Sequence, residues 1–206
     1  MKQYPSFDGK IIGIPITAFD KLDGSNIRCE VDRKKGMFKF GSRKVLLGED
    51  HPYLGKAEGI IRAKYEEFLT RLCRDERWEM ATPFFEFHGA KSFAGLHDPT
   101  DPTLTATLID IDIYKRGMPV PRDFLKLFEG KVDIPRVVYQ GNPTADFIQA
   151  VREGTLEGVT YEGVVCKGAP LKKGLQPTMF KVKSAAWIQA VKARYADDPK
   201  MLADLL

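Results

Sequence analysis

The hydrophobic pattern of the chain switches between strand-like and helix-like stretches. In 26–32, Ile27, Cys29 and Val31 alternate with charged residues, which is the period-two pattern of a strand with one buried face. In 56–75, apolar residues recur at steps of three and four and so share one side of a helix. The predicted strands cover 10–19, 26–32, 37–40, 82–88, 105–114, 163–167 and 179–183. The predicted helices cover 56–75, 122–128, 144–152 and a last segment that begins after Ser184.

Turn and cap residues separate these elements. Thr144 and Ser184 precede helical stretches and suit the N-cap position, and Gly154 follows the helix that Thr144 begins. Two stretches, 92–103 and 168–178, are rich in Gly, Pro or Asp and are predicted to be loops. Strands outnumber helices and no regular helical crossovers join them. The pattern therefore predicts an α+β fold with largely antiparallel sheets flanked by helices.

Composition narrows the class of protein. The 206 residues include 32 Lys or Arg and 28 Asp or Glu, a net charge of +4, which suits a globular chain without a polybasic or strongly acidic tail. No apolar run approaches the ~18 residues of a membrane span, and the first ten residues lack a secretory apolar core. We expect a cytoplasmic protein without membrane association. Neither GxGxxG nor GxxxxGK[ST] occurs, so the usual glycine-rich phosphate loops are absent from the sequence.

Cysteine spacing and local charge add two observations. Cys29, Cys73 and Cys166 form no CxxC or CxxxH pattern, so we expect reduced packing residues and no zinc site. Between 163 and 196 there are seven basic residues and no acid. Such a run could follow a nucleic-acid backbone, or it could be an ordinary solvated surface. The basic residues are Lys167, Lys172, Lys173, Lys181, Lys183, Lys192 and Arg194.

Two short motifs carry residue types that suit phosphate chemistry. Lys21 follows an apolar strand and precedes an Asp-Gly turn, in the run KLDGSN. A lysine becomes a nucleophile once it loses its proton, which burial and neighbouring cations favour. Glu86 lies between aromatic residues in FFEFHG, where a buried carboxylate would need a ligand or a cation. Taken singly, each has an ordinary alternative, a surface lysine beside a turn and a glutamate on a solvent face.

Two further motifs place charges on short strands. In EGVVCK, Glu162 and Lys167 bracket an apolar strand. In FKVKS, Lys181 and Lys183 are two residues apart and project from the same face of a strand. Adjacent like charges repel unless an anion lies between or above them. The alternative for this segment is a solvated charged edge.

The order of these motifs resembles the covalent nucleotidyltransferase superfamily, which contains ATP-dependent DNA ligases, RNA ligases and mRNA capping enzymes. The runs KLDGSN, SRK, FFEFHG, LIDIDIY, EGVVCK and FKVKS follow one another from about Thr17 to Ser184. The Ser-Asn after KxDG resembles the RNA ligase branch, in particular the RNA ligase 2 type, because DNA ligases more often have an arginine where Asn26 stands. The resemblance implies an α+β nucleotidyltransferase (adenylation) domain.

The resemblance also implies a mechanism. Lys21 would attack the α-phosphorus of ATP and form lysyl-AMP with release of pyrophosphate. Lys181 and Lys183 would bind the α-phosphate, and Lys167 would supply a further phosphate contact. AMP would then pass to a 5′-phosphate end, and a 3′-hydroxyl would displace it to seal the strand.

Further roles follow from the same resemblance. Phe19 and Asp20 would lie near the adenine, Arg43 would contact the ribose or a phosphate, and Glu86 would bind the ribose. Ile111 stands where the RNA ligase pattern often has an aromatic that stacks on adenine.

Metal and RNA contacts are implied as well. Glu162 and Asp23 would orient waters on a divalent ion, Mg²⁺ or Mn²⁺. Asn26 would help to place the RNA end, at a nicked duplex or a hybrid.

The length after the last motif shapes the expected domain organisation. Residues 1–184 would form the nucleotidyltransferase domain, and 185–206 a C-terminal helical tail with no OB domain. A separate end-healing protein could act with it in RNA repair, and the oligomeric state is left open. The alternatives are a minimal DNA ligase, a GTP-using capping-type enzyme, and a non-catalytic nucleic-acid-binding relative.

Overall fold

A computed structural model describes residues 1–7, 10–43, 45–46, 55–90, 92–95, 100–172 and 174–206. The strands are β1 (Ile16–Asp20), β2 (Gly24–Asp32), β3 (Gly36–Ser42), β4 (Met80–Gly89), β5 (Leu104–Ile113), β6 (Val137–Gly141), β7 (Gly163–Gly168) and β8 (Thr178–Lys183). The helices are α1 (Gly55–Asp75), α2 (Pro121–Phe128), α3 (Ala145–Glu153), α4 (Ala185–Arg194) and α5 (Pro199–Leu205). The predicted α+β class is confirmed. Lys44 of SRK, Lys173 of the basic run and parts of both predicted loops lie outside the described residues.

The chain divides into two compact units. Unit 1 comprises Met1–Ser6, Ser25–His88 and Leu104–Ile134, and unit 2 comprises Phe7–Gly24, Gly89–Thr103 and Pro135–Leu206. Each unit contains a four-stranded sheet, with the strand order β3-β2-β4-β5 in unit 1 and β6-β1-β7-β8 in unit 2. The β2–β3 pair in the first sheet and the three pairs of the second sheet are antiparallel.

In unit 1, the apolar stripe of α1 covers one face of the sheet. Ile61, Tyr65 and Leu69 are buried along this stripe, and the rings of Tyr65 and Phe85 are 5.0 Å apart. The Tyr65 hydroxyl donates a hydrogen bond of 2.7 Å to the backbone oxygen of Ala106 in β5. Helix α1 is thus fixed to the sheet both by apolar burial and by a buried polar contact.

In unit 2, alternate residues of the strands form the core with α3. Directly opposed residues share a face, and Ala18, Cys166 and Phe180 lie opposite one another across β1, β7 and β8. All three belong to the cluster that packs against Phe147 and Val151 of α3. Period-two alternation therefore leaves the other set of side chains on the opposite face.

The predicted helix caps are confirmed. The Thr144 side chain accepts from the backbone N–H of Phe147, and Gly154 closes α3 with φ of 71°. A left-handed residue at this position costs glycine little because it lacks a Cβ. Ser184 accepts from the backbone N–H of Trp187 at the start of α4. The cysteines are also buried and free, as predicted.

Three segments differ from the sequence prediction. Strand β1 begins only at Ile16, because Gly13 and Pro15 interrupt the predicted strand and proline has no N–H for a ladder. Strand β6 was not predicted, and it pairs with β1. The segment after Ser184 forms a second helix, α5, besides α4. No helix among the described residues is long and apolar enough to cross a membrane.

Candidate functional site

The strand register of unit 2 brings the candidate lysines to one face of its sheet. Lys181 lies opposite Val165, Lys183 opposite Gly163, and Lys167 opposite Thr17. These positions alternate with the buried core residues, so they lie on the face turned away from α3. The N–H of Lys21 donates to the oxygen of Gly163 at 2.9 Å, which extends the pairing of β1 beyond its end.

Glu162 connects two of these lysines. Its Oε1 lies 2.8 Å from Nζ of Lys21 and 3.7 Å from Nζ of Lys183. The Glu162 side chain is 4% exposed and the Lys21 side chain 21%. Burial raises the pKa of Glu162, and the two ammonium groups oppose that shift. Glu162 therefore pairs with both ammonium groups and lies within proton-transfer distance of Lys21.

Lys183 is enclosed by groups that hold its amine in place. Its side chain is 8% exposed, and its Nζ lies 4.2 Å from the ring centroid of Trp187. The amine also donates to the backbone oxygen of Leu205 at the end of α5. Burial lowers the pKa of Lys183 to about 8, with contributions from the charges of Lys181 and Lys21 and opposition from Glu162. Lys183 therefore changes charge near physiological pH.

Only one of the two carboxylate oxygens of Asp23 accepts a hydrogen bond from the described residues. Its Oδ2 accepts from the N–H of Ala94 at 2.9 Å. Its Oδ1 is buried and has no hydrogen-bond partner among the described residues. Burial and the nearby Asp23 charge raise the pKa of Tyr161. The described part of the chain contains no group of three or more His, Cys, Asp or Glu that could hold a metal ion directly.

The residues next to Lys21 on β1 point to opposite sides of the sheet. Phe19 is 2% exposed, and the Lys167 amine lies 5.1 Å from its ring centroid, a cation–π pair on the lysine-bearing face. Asp20 accepts from both the backbone N–H and the hydroxyl of Thr160. The Asp20 carboxylate is therefore engaged in fixing the segment that precedes Glu162.

The candidate residues of unit 1 include Glu86 on β4 and Arg43 just after β3. Glu86 is half-buried and Arg43 exposed, and both charges act on the phenol of Tyr4. Tyr4 packs on Phe84, with ring centroids 4.9 Å apart, and its hydroxyl donates to Asp110 at 3.4 Å. Burial raises the pKa of Tyr4 well above its usual value, and the nearby carboxylates add to the shift. Sequence reasoning missed Tyr4, because no periodic pattern marks it.

The other two candidates of unit 1 are differently placed. Ile111 on β5 is fully buried in the core, at 0% exposure. Asn26 on β2 is half-buried, but its side-chain nitrogen and oxygen are buried and have no hydrogen-bond partner among the described residues. An unpaired buried amide is costly unless a ligand completes its hydrogen bonds.

Sequence reasoning also missed Trp187 and the 92–95 segment. Trp187 was assigned only to the apolar side of a helix, yet its ring faces Lys183. Ala94 supplies a backbone N–H, which carries no sequence signal. Both belong to one buried cluster with Val191 of α4.

The basic run is partly exposed. Lys172, Lys192 and Arg194 are exposed, whereas Lys167 is buried at 6% exposure. The Arg194 guanidinium lies over Gly95, where a Cβ would come within 2.0 Å of Nη1. The run therefore combines residues held on the sheet face with solvated cations on a loop and a helix.

Comparison with known proteins identifies the fold. No model of a protein family matches the sequence, and no curated protein is significantly similar to it. An archaeal ATP-dependent RNA ligase matches with a TM-score of 0.65 and 14% identity over 97% of this chain and 52% of that one. The RNA ligase of Naegleria gruberi with pyrophosphate matches with a TM-score of 0.63 and 20% identity over 88% of this chain and 52% of that one. A variant of the Naegleria enzyme with ATP and Mn matches with a TM-score of 0.62 and 18% identity over 87% of this chain and 52% of that one.

These similarities concern architecture. The chain spans about half the length of the solved structures it matches. It has an RNA-ligase-like nucleotidyltransferase fold.

Proposed function

We propose that this chain is an ATP-dependent RNA ligase in which Lys21 is the nucleophile. The observation that carries the proposal is the 2.8 Å pair of Lys21 and Glu162, with Lys183 at 3.7 Å from the same carboxylate oxygen. A nucleophilic amine beside a proton acceptor and a further cation suits attack on the phosphoric anhydride of ATP. The fold that the chain shares with RNA ligases supports this reading.

In the first step the Lys21 amine would attack the α-phosphorus of ATP. A bond forms between Nζ of Lys21 and the α-phosphorus. The bond from the α-phosphorus to the oxygen that bridges it to the β-phosphorus breaks, and pyrophosphate leaves. Glu162 would take the amine proton; its Oε1 lies 2.8 Å from Nζ of Lys21, and burial raises its pKa. The AMP would then pass to a 5′-phosphate, and a 3′-hydroxyl would displace it.

The cations on the same face would hold the phosphates. Lys181 and Lys183 would bind the α-phosphate and offset the charge that develops during transfer. Lys167, which stacks on Phe19, would add a further phosphate contact. Phe19 would then lie beside the base, with Asp20 fixing the strand end through Thr160.

A divalent ion, Mg²⁺ or Mn²⁺, would supply charge neutralisation at the phosphates when bound. The residues fit an ion held through its waters, because Oδ1 of Asp23 is a buried acceptor without a partner among the described residues. Glu162 would be the second carboxylate. Two carboxylates suit Mg²⁺, which keeps several of its waters.

The roles proposed for residues of unit 1 concern the nucleoside and the RNA. Glu86 would bind the ribose, Arg43 would contact the ribose or a phosphate, and Ile111 would support the base from the core. Asn26 would hold the RNA end, a role that would satisfy its unpaired amide. Residues 1–184 would form the nucleotidyltransferase domain and 185–206 a helical tail, in a cytoplasmic protein that could act with an end-healing partner.

Intact-mass spectrometry after incubation with ATP and Mg²⁺ or Mn²⁺ tests the proposal. We expect an AMP adduct on the wild type and none on Lys21→Ala. Lys10→Ala is a matched control, because Lys10 is an exposed lysine of the same unit. Absence of an adduct on the wild type would overturn the mechanism and favour a non-catalytic nucleic-acid-binding protein.

Two comparisons separate the related activities. An adduct formed from GTP but not ATP would indicate a capping-type enzyme. Gel analysis of duplexes with RNA or DNA on each side of a nick distinguishes RNA from DNA ligation. We expect sealing where RNA is present at the nick, and sealing of all-DNA nicks alone would indicate a minimal DNA ligase.

A further inference from the structure

Trp187 connects two reactive groups of the lysine-bearing face. It lies in the first turn of α4, beyond the last of the recognised motifs, and is 1% exposed. Its ring centroid is 4.2 Å from Nζ of Lys183, the distance of a direct cation–π contact. The ring therefore forms one wall around the ammonium.

Trp187 also packs with the segment that holds Asp23. Trp187, Ala94 and Val191 form one buried cluster. The N–H of Ala94 donates to Oδ2 of Asp23 at 2.9 Å. Movement of the indole would thus displace the backbone donor of Asp23 as well as the neighbour of Lys183.

The start of α4 is itself anchored beside Glu162. The Ser184 hydroxyl donates to the oxygen of Tyr161 at 2.7 Å and accepts from the N–H of Trp187 at 3.1 Å. The N–H of Ser184 donates to the oxygen of Glu162 at 2.9 Å. The position of the Trp187 backbone is therefore fixed relative to the carboxylate that pairs with Lys21.

We propose that Trp187 is a positioning residue for nucleotidyl transfer, which holds Lys183 through its ring and Asp23 through Ala94. The inference rests on the proposed function. A lysine side chain has several rotatable bonds, and a buried aromatic face removes most of its alternatives. Because Lys183 would act on the α-phosphate during transfer, loss of the ring slows the step at saturating ATP more than it weakens ATP binding.

The indole N–H offers a way to separate the ring from its polar atom. Nε1 of Trp187 is buried and has no hydrogen-bond partner among the described residues. Trp187→Phe thus keeps an aromatic face and removes an N–H that makes no hydrogen bond among the described residues. Trp187→Leu removes the aromatic face, and Val191→Ala disturbs the same cluster from a residue that makes neither of these contacts.

The first measurement is the rate of AMP-adduct formation at saturating ATP. We expect Trp187→Leu to lose about 10- to 30-fold, the size of a desolvated cation–π contact. Trp187→Phe and Val191→Ala should stay within about threefold of the wild type. If Trp187→Leu does not fold, Trp187→Met replaces it, since methionine fills the volume without a ring.

The second measurement needs no nucleotide. Acetylation of the Lys183 amine, followed by peptide mass mapping, should be at least about threefold faster in Trp187→Leu than in the other variants, because the amine loses its wall. Equal labelling and equal adduct rates in all variants would overturn the inference, as would a Trp187→Phe variant as slow as Trp187→Leu. A wild type that forms no adduct but shows the labelling difference would instead overturn the proposed function alone.

Discussion

Nζ of Lys21 lies 2.8 Å from Oε1 of Glu162, and Lys183 approaches the same oxygen at 3.7 Å. One buried carboxylate thus compensates two cations. The charge of Glu162 keeps both lysines close despite their mutual repulsion, and its raised pKa makes it a better proton acceptor. Substitutions at Glu162 should therefore affect both the nucleophile Lys21 and its neighbour Lys183.

Replacement of Glu162 by glutamine should separate charge from shape. The amide fills the same volume but takes no proton from Lys21, so we expect adduct formation to slow by roughly 100-fold. Leaving the Lys183 ammonium and the partly exposed Lys21 ammonium without their carboxylate should also lower the free energy of unfolding by about 1–3 kcal/mol. Adduct kinetics and urea denaturation measure the two effects.

The control for Glu162→Gln is Glu157→Gln, which changes an exposed glutamate of the same unit. It should leave both rate and stability unchanged within error. A Glu162→Gln enzyme with the wild-type rate would show that another group accepts the Lys21 proton.

The rate of adduct formation should fall as the pH rises above about 8. Burial lowers the pKa of Lys183 to about 8, so its ammonium is lost through that pH and no longer attracts phosphate above it. The groups that face Lys183 are Glu162, Lys181, Lys21 and the Leu205 carbonyl. In Lys183→Arg the guanidinium stays protonated, so the alkaline decline should move to higher pH.

Single-turnover rates between pH 6 and 10, at ATP concentrations well below saturation so that they report the free enzyme, check this shift. Lys172→Arg is the matched control, since Lys172 is an exposed lysine on the β7–β8 connection. Coincident alkaline limbs in the wild type and Lys183→Arg would assign the decline to a different group.

Gly163 should be intolerant of any side chain. Its φ is +131°, and a Cβ there would lie 2.1 Å from the oxygen of Val182 and 2.8 Å from Cα of Lys183. Both contacts are with backbone, which cannot move without breaking the β7–β8 pairing. We expect Gly163→Ala to lose about 3 kcal/mol of stability in urea denaturation.

Gly154→Ala serves as the comparison for Gly163→Ala. It has a positive φ of 71° but no atom within 4 Å of the added Cβ, so only backbone strain should act. A loss of about 1 kcal/mol is expected there. Equal losses at the two positions would mean that the close approach of β8 contributes nothing.

Local rules predicted much of this fold. Thr144 and Ser184 were identified as caps because a hydroxyl before a helix satisfies its first N–H groups, and both do so. Strand alternation placed Lys181 and Lys183 on one face. The sequence did not predict strand β6. It has five residues, none of them buried, so its sequence lacks the alternation of buried and exposed positions that marks a strand.

The sequence motifs predicted which residues belong to the candidate site but not how those residues are arranged. The lysines and Glu162 could be named from their order, whereas their arrangement depends on pairing between β1, β7 and β8. The contact of Trp187 with Lys183 and the Ala94 N–H at Asp23 arise from tertiary packing. No periodicity in one sequence encodes such contacts.

The exposed part of the basic run should govern RNA affinity rather than chemistry. Lys172 and Lys192 are exposed, and neither belongs to the buried core or to the ion pairs of Glu162. Each phosphate contact to single-stranded RNA changes the slope of log affinity against log salt by about 0.7. We expect Lys172→Ala and Lys192→Ala each to reduce the slope by about that amount while adduct formation from ATP stays unchanged. Fluorescence anisotropy over a salt series measures the slope, with Lys126→Ala of unit 1 as the exposed control, and an unchanged slope in both variants would make the run an ordinary solvated surface.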